Sequence, residues 1–449
     1  MTATLTDVMD ARRRVLDLTV REGASVIIVD SPPGAGKTRL VEDVVSAATS
    51  NSLRVAVLTP RAEQSFDLVR RLVASFPGIP IQVLQSAHRS YPPDLQNDSR
   101  VPLPVNDPAN LSDGPGVVIG TASKFYHAIH CFTRGSKEFD LIICDEAYQL
   151  TFKDIEPFPA ISGQLLLVGD PGQLPPVVTV DTTRFDAAPY KVHWPAPREV
   201  LRQHPDVPVV KLPATYRFSD DSVQLIQPAF YPSLPFRSAV TERERAVSFS
   251  ARGFRDPIDS ALDLVASGAT IVAITLPPKD FAFDSADEDV ATTIAHICAR
   301  AIERGVRWGT RQLNDGDIAC ADAHVASGAA VRQALRRLHV SSELLVDTPE
   351  ILQGLQRPFM VVKHPLSGVR RVDQFALEPG RMCVMLSRHQ VGCIIVTRDG
   401  VGESLDRYDH DSGARPVSAE DTAWNGYRAH LQLWRKLEAS KRIVHASHQ

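Results

Sequence analysis

Apolar and polar positions fall along this chain in two rounds of the same rhythm. In the first half, short runs rich in Val, Ile and Leu occupy 25–30, 54–60, 116–121, 141–144, 165–170 and 207–212, with helical stretches at 38–48 and 61–76. Continuous apolar runs suit parallel strands covered on both faces, and the intervening helices predict a doubly wound α/β domain. In the second half, candidate strands at 270–276, 317–321, 343–347, 359–364 and 393–397 alternate with helices near 288–304 and 324–338. That pattern predicts a second α/β domain behind the first. The expected organisation is an N-terminal domain over 1–225, a linker over 226–250, a C-terminal domain over 251–400 and a tail over 401–449. Residues 85–115, rich in Pro, Asn, Asp and Ser, predict a surface insertion. In the tail, Trp424, Tyr427, Leu431, Trp434 and Leu437 recur every three or four residues, the spacing of an amphipathic helix docked on the body.

A chain of 449 residues has room for two or three domains with real cores. Its net charge of −4 excludes a polycation that coats nucleic acid indiscriminately, so any nucleic-acid site must be a local groove. Residues 1–20 carry charges and no long apolar segment, which predicts neither a secretory leader nor a membrane span and gives a cytoplasmic expectation. Six scattered cysteines form no CxxC pair, and His127, His130 and Cys131 lack a second ligand pair, so no structural metal is expected.

Three segments that follow apolar runs carry the candidate chemistry. The first, Ser31-Pro32-Pro33-Gly34-Ala35-Gly36-Lys37-Thr38, follows the run 25–30. Small residues there let backbone N–H groups turn onto a triphosphate, so Pro33, Gly34, Ala35 and Gly36 form a phosphate cradle. Lys37 would reach the β and γ phosphates and the Thr38 hydroxyl would ligate Mg²⁺. Ser31 stands where the usual pattern has its first glycine. In the second segment, Asp145 and Glu146 end the run 141–144. Two carboxylates after an apolar strand are costly unless used, Asp145 holding Mg²⁺ and Glu146 polarising the water that attacks the γ phosphate. The third, Gly169-Asp170-Pro171-Gly172-Gln173-Leu174-Pro175-Pro176, places Gln173 where it can hydrogen-bond a γ phosphate or attacking water.

In this order and spacing the three segments resemble superfamily 1 helicases of the DEAxQ group. Leu58-Thr59-Pro60-Arg61 and Gly120-Thr121-Ala122-Ser123-Lys124 are similar to the family's motifs that touch the nucleic-acid backbone. Thr215-Tyr216-Arg217 is similar to the fourth motif, whose Tyr stacks on the base and whose Arg reaches the γ phosphate. Thr348 with Gln353-Gly354-Leu355-Gln356 resembles motif V, and Val384-Met385-Leu386-Ser387-Arg388 resembles motif VI with its arginine finger. The resemblance implies two RecA-like domains in tandem, ATP and Mg²⁺ in the cleft between them, and one strand of DNA or RNA across their tops. It implies nucleotide contacts by Tyr216, Gly354, Arg217 and Arg388, and backbone contacts by Thr59, Arg61, Thr121 and Thr348. For those last four, the alternative is a helix cap or a satisfied turn. Three departures stand out: no Gln precedes Ser25 at the adenine-reading position, Gln356 replaces a common Glu, and His389-Gln390 follow the arginine where Ala and a basic residue are usual. The implied activity is an ATP-dependent helicase or single-strand translocase moving 5′ to 3′. The other reading is a nucleotide switch that acts on a protein partner without translocation.

Overall fold

The computed structural model describes residues 2–132, 138–178, 181–182, 185, 187–252, 255–279, 286–369, 372–412 and 422–446. It divides into two compact units, one formed by Met1–Pro171 and Pro175–Ala214, the other by Gly172–Leu174 and Thr215–Gln449.

The N-terminal unit is built on seven strands: β1 (Val26–Asp30), β2 (Arg54–Thr59), β3 (Ile81–Leu84), β4 (Gly116–Thr121), β5 (Phe139–Asp145), β6 (Ser162–Gly169) and β7 (Val209–Lys211). They pair in parallel in the order β3-β4-β2-β5-β6-β1-β7. Successive residues of one strand feed opposite layers, because side chains alternate across a sheet. Ile27, Val29, Val55 and Val57 pack with Leu40, Val44 and Leu68 of the helices Lys37–Ser50 and Ala62–Ser75. Ile28, Ala56 and Leu58 pack with Phe125, Phe158 and Val200 on the other face. Continuous apolar runs are therefore what this sheet requires.

The C-terminal unit repeats the plan with six parallel strands. Their order across the sheet is Leu345–Asp347, Ile318–Ala321, Arg357–Lys363, His389–Arg398, Ile271–Leu276 and Ile443–His445. Its strands also divide between two layers: Ile271, Ala273, Met360 and Val362 face one, and Val272, Ile274, Phe359 and Val361 the other. The tail's helix forms over Thr422–Ala439 and buries Tyr427, Leu433, Trp434 and Leu437 in the first of these layers. Of the expected tail, 413–421 and 447–449 lie outside the described residues.

Four features differ from the sequence expectation. The boundary expected at 225 falls inside the helix Asp220–Phe230, whose Val223, Leu225, Ile226, Ala229 and Phe230 join the C-terminal core, so the division lies at Ala214/Thr215. The expected linker 226–250 contains Val247–Ser248, which pairs antiparallel with Arg307–Trp308. Residues 85–115 are anchored rather than merely superficial: Tyr91 and Leu95 are buried in the N-terminal core, Tyr91 sits edge-on to Phe66 at 5.6 Å, and Val105 bridges to Leu84. Two edge strands, β3 and Ile443–His445, are too short to announce themselves as apolar runs. Among the described residues no helix is long and apolar enough to cross a membrane.

Candidate active site

β1 delivers the chain into the phosphate loop. Ser31 N–H donates to the Gly169 carbonyl at 2.9 Å, tying the loop's first residue to the end of β6. Gly34 and Gly36 adopt φ of 75° and 84°, a left-handed geometry that costs a glycine little. Gly36 caps the helix Lys37–Ser50 without any side-chain hydrogen bond, so the first helical N–H groups are left for an incoming anion. Pro33 and Ala35 are buried beside it, and Thr38 is half-buried on the helix's first turn.

At the end of β5, Asp145 is buried and its carboxylate accepts the Glu146 N–H at 3.0 Å. Burial, reinforced by the Glu146 charge, raises its pKa to about 7, and Lys37 offsets this only in part. Glu146 itself sits at φ 53°, a region a side chain rarely occupies, which turns its carboxylate toward the Lys37 ammonium at 3.3 Å. Lys37 is thus directed at an anion. Two adjoining carboxylates have one close cation, Lys37, with Arg71 a weaker influence on Asp145, and an additional divalent ion held by Asp145 and Thr38 would fit that imbalance. Sequence reasoning missed the partner of this corner: the Tyr148 hydroxyl donates to Asp30 at 2.6 Å, and Tyr148 packs so closely on Gly169 that a Cβ there would lie 2.8 Å from its ring. That pair joins the ends of β1 and β6 to the turn after β5.

The nucleic-acid candidates on this unit separate. Thr59 is 1% exposed and its hydroxyl is spent on the Arg61 carbonyl at 2.8 Å and Ser65 at 2.6 Å. It therefore shapes the turn, the second of the two readings the sequence leaves open for it. Thr121 is half-buried and caps its helix by accepting from Lys124 N–H at 3.2 Å. Arg61 is exposed and lines a groove at the carboxyl ends of β2, β3 and β4 together with Gln85, Arg89, Thr121 and Lys124. Arg89 and Lys124 are cations the sequence reading did not select. Another is Arg12 of the first helix, whose guanidinium would stand 3.2 Å from a Cβ on Gly36 and lies 3.7 Å from Asp43.

The remaining candidates belong to the C-terminal unit. Gln173 goes with it because Leu174 packs against Gly380, where a Cβ would come within 2.9 Å, and because Gln353 Nε2 donates to Gln173 Oε1 at 2.9 Å. Arg217 donates through Nη1 to the Ser387 carbonyl at 2.6 Å. Arg388 is 1% exposed and donates inward: Nε to the Val384 carbonyl at 3.2 Å, Nη1 to the Leu355 carbonyl at 3.3 Å and Nη2 to Ser387 Oγ at 3.0 Å. Tyr216 is exposed. Gly354 sits at φ 89° in open space, and Thr348 caps the turn Pro349–Leu352 without a side-chain bond.

Comparison with known proteins adds the following. Residues 9–206 match a family model described as an AAA domain. Over 218 residues, 48% of this chain and 14% of the relative, it is 26% identical to the DNA replication ATP-dependent helicase/nuclease DNA2 of Saccharomyces cerevisiae. Over 386 residues, 81% of this chain and 26% of the relative, it is 21% identical to dna2 of Schizosaccharomyces pombe. The chain therefore spans about a quarter or less of the length of these relatives. Among solved structures it is similar to the arterivirus nonstructural protein 10 helicase, with a TM-score of 0.43 and 13% identity over 84% of this chain and 60% of that one.

Proposed function

We propose that this chain, a P-loop protein of the superfamily 1 helicase class, hydrolyses ATP and uses the cycle to move along a single nucleic-acid strand. One observation carries the reading: Lys37 faces Glu146, beside a buried Asp145, at the mouth of a glycine loop that caps a helix with bare N–H groups. A Mg²⁺-bound triphosphate would supply a leaving group whose developing charge the site has to neutralise. Lys37 and the loop amides hold the phosphates. Glu146, released from Lys37 when phosphate takes its place, orients water and accepts its proton. By the family resemblance, Arg217 and Arg388 are the residues that would supply the positive charge phosphoryl transfer demands.

The groove lined by Arg61, Arg89 and Lys124, with Glu63 paired to Arg89 on its wall, supports a polyanion lying across the carboxyl edge of the same sheet. The likeness to the DNA2 proteins favours DNA over RNA as that strand. Mg²⁺ as the metal and a cytoplasmic setting belong to the same reading. The test is the ATPase rate with and without single-stranded DNA and RNA, for the parent chain and for Glu146→Gln. Many-fold stimulation by single strands is expected. Glu146→Gln should lose about 10²- to 10⁴-fold in kcat while still binding ATP. A rate indifferent to every nucleic acid would favour the switch that acts on a protein partner.

A further inference from the structure

Arg217 and Arg388 share one partner, Ser387, the first bonding its carbonyl and the second its hydroxyl. Ser387 lies in the corner between the helix Pro379–Leu386 and the strand His389–Arg398, so whatever sets that corner sets both arginines. His389 sets it. Its ring is fully buried; Nδ1 lies 2.6 Å from the Leu386 carbonyl, three residues back, and closes the corner like a staple. Nε2 lies 2.8 Å from Ser222 Oγ, and the ring stacks on Phe218 with centroids 5.5 Å apart and planes 28° from parallel.

The staple is itself anchored. Ser222 Oγ lies 2.6 Å from Thr270 Oγ1, and the Thr270 backbone N–H donates to Asp221 at 2.9 Å. The Asp221 carboxylate takes Arg442 on both oxygens, at 2.5 and 2.7 Å. Arg442 immediately precedes the last strand of the sheet. From the opposite side Arg245 donates to the carbonyls of Arg217 at 2.7 Å and Tyr216 at 2.5 Å. The helix Asp220–Phe230 and the C-terminal strand thereby hold the corner through a continuous run of side chains, and deep burial favours one arrangement of such a network over several.

We propose that His389 is a positioning residue that locks the Ser387 corner so that Arg217 and Arg388 are presented together, with Ser222, Asp221 and Arg442 extending the lock to the C-terminal strand. The proposal rests on the ATPase reading above. It gives a physical role to a residue that departs from the family pattern. His389 and Ser222 act through the arginines and not on ATP itself, so loss of either should lower kcat and leave the KM for ATP alone.

The test is steady-state ATPase with single-stranded DNA for His389→Ala, Ser222→Ala, Arg388→Ala and the double variant Ser222→Ala/Arg388→Ala, together with Lys37→Ala. Ser222→Ala removes one hydrogen-bonding atom and creates little cavity, so it carries the test should His389→Ala fail to fold. Expected are a fall in kcat of about tenfold for Ser222→Ala with unchanged KM, and a smaller fall, through Arg217 alone, when it is added to Arg388→Ala, because coupled residues are not additive. Parental kcat in Ser222→Ala, or an equal tenfold fall on both backgrounds, would overturn the proposal. A parental rate in Lys37→Ala would overturn the ATPase reading, and the lock would fall with it.

Discussion

In the N-terminal unit the strand ends carry carboxylates withdrawn from water: Asp30 and Asp145 are held above their ordinary pKa chiefly by burial, Asp145 reaching about 7. At the corner after the helix Pro379–Leu386 of the C-terminal unit the buried groups are instead a neutral imidazole and a guanidinium whose donors already meet carbonyls and a hydroxyl. His389 is pushed down to about 4, again by burial, and Arg388 makes three inward hydrogen bonds. The Asp145–Glu146 corner has more carboxylates than close cations, while the Ser387 corner keeps its positive charge internally bonded. Two sheets of the same plan thus carry corners of different local charge because of a few residues just past their strands. A site for a metal-bound polyanion requires the first state, and a device that supplies charge late requires the second.

The largest expected effect separates the two units kinetically. Arg388→Ala should lose about 10³- to 10⁵-fold in kcat with ATP affinity retained, whereas Lys37→Ala should lose affinity as well. A fluorescent-nucleotide titration beside the ATPase assay checks it, and equal losses of affinity would break the contrast. Next comes stability. Trp434 is 4% exposed in the C-terminal core, its ring 5.8 Å from that of His364, so Trp434→Ala should cost about 3–5 kcal/mol. In a denaturant titration the transition of the C-terminal unit alone should move.

The pH dependence follows, with opposite signs. Asp145 keeps its proton in the folded unit up to about pH 7 while the unfolded chain releases it near 4, so this group makes the N-terminal unit lose stability as pH rises from 4 to 7. His389 and His430 stay neutral down to about pH 4 while the unfolded chain takes up protons from about 6.5, so they make the C-terminal unit lose stability as pH falls across that window. Melting curves of the parent and of Asp145→Asn between pH 4 and 8 should show the neutral-side loss only in the parent. The smallest effect distinguishes a turn from a contact. Arg61→Ala should weaken single-stranded DNA binding and lower its salt slope by about one, while Thr59→Val should leave the slope unchanged and cost about 1 kcal/mol of stability.

Much of this was legible in the sequence because the relevant physics is local. A strand buried on both faces must be apolar throughout, so 26–30 and 141–145 declare themselves, and a loop that wraps phosphate must be small and glycine-rich, so Gly34 and Gly36 do as well. Thr59 stayed open between two readings for the complementary reason. Its place in the motif says nothing about Ser65 lying 2.6 Å from its hydroxyl. Arg12, Arg89 and Lys124 were overlooked because an isolated cation carries no pattern until folding shows what it lies beside.

The amino-acid order by itself determined two parallel α/β layers, the phosphate loop and the carboxylates after the run 141–144, since each is written within a window of a dozen residues. Tertiary structure alone decided that Gly172–Leu174 joins the C-terminal unit, that Ser387 gathers Arg217 and Arg388, and that Arg442 reaches Asp221 across 221 positions of chain. Such pairings depend on which surfaces pack together, and side chains hundreds of residues apart leave no shared periodicity from which their meeting can be read.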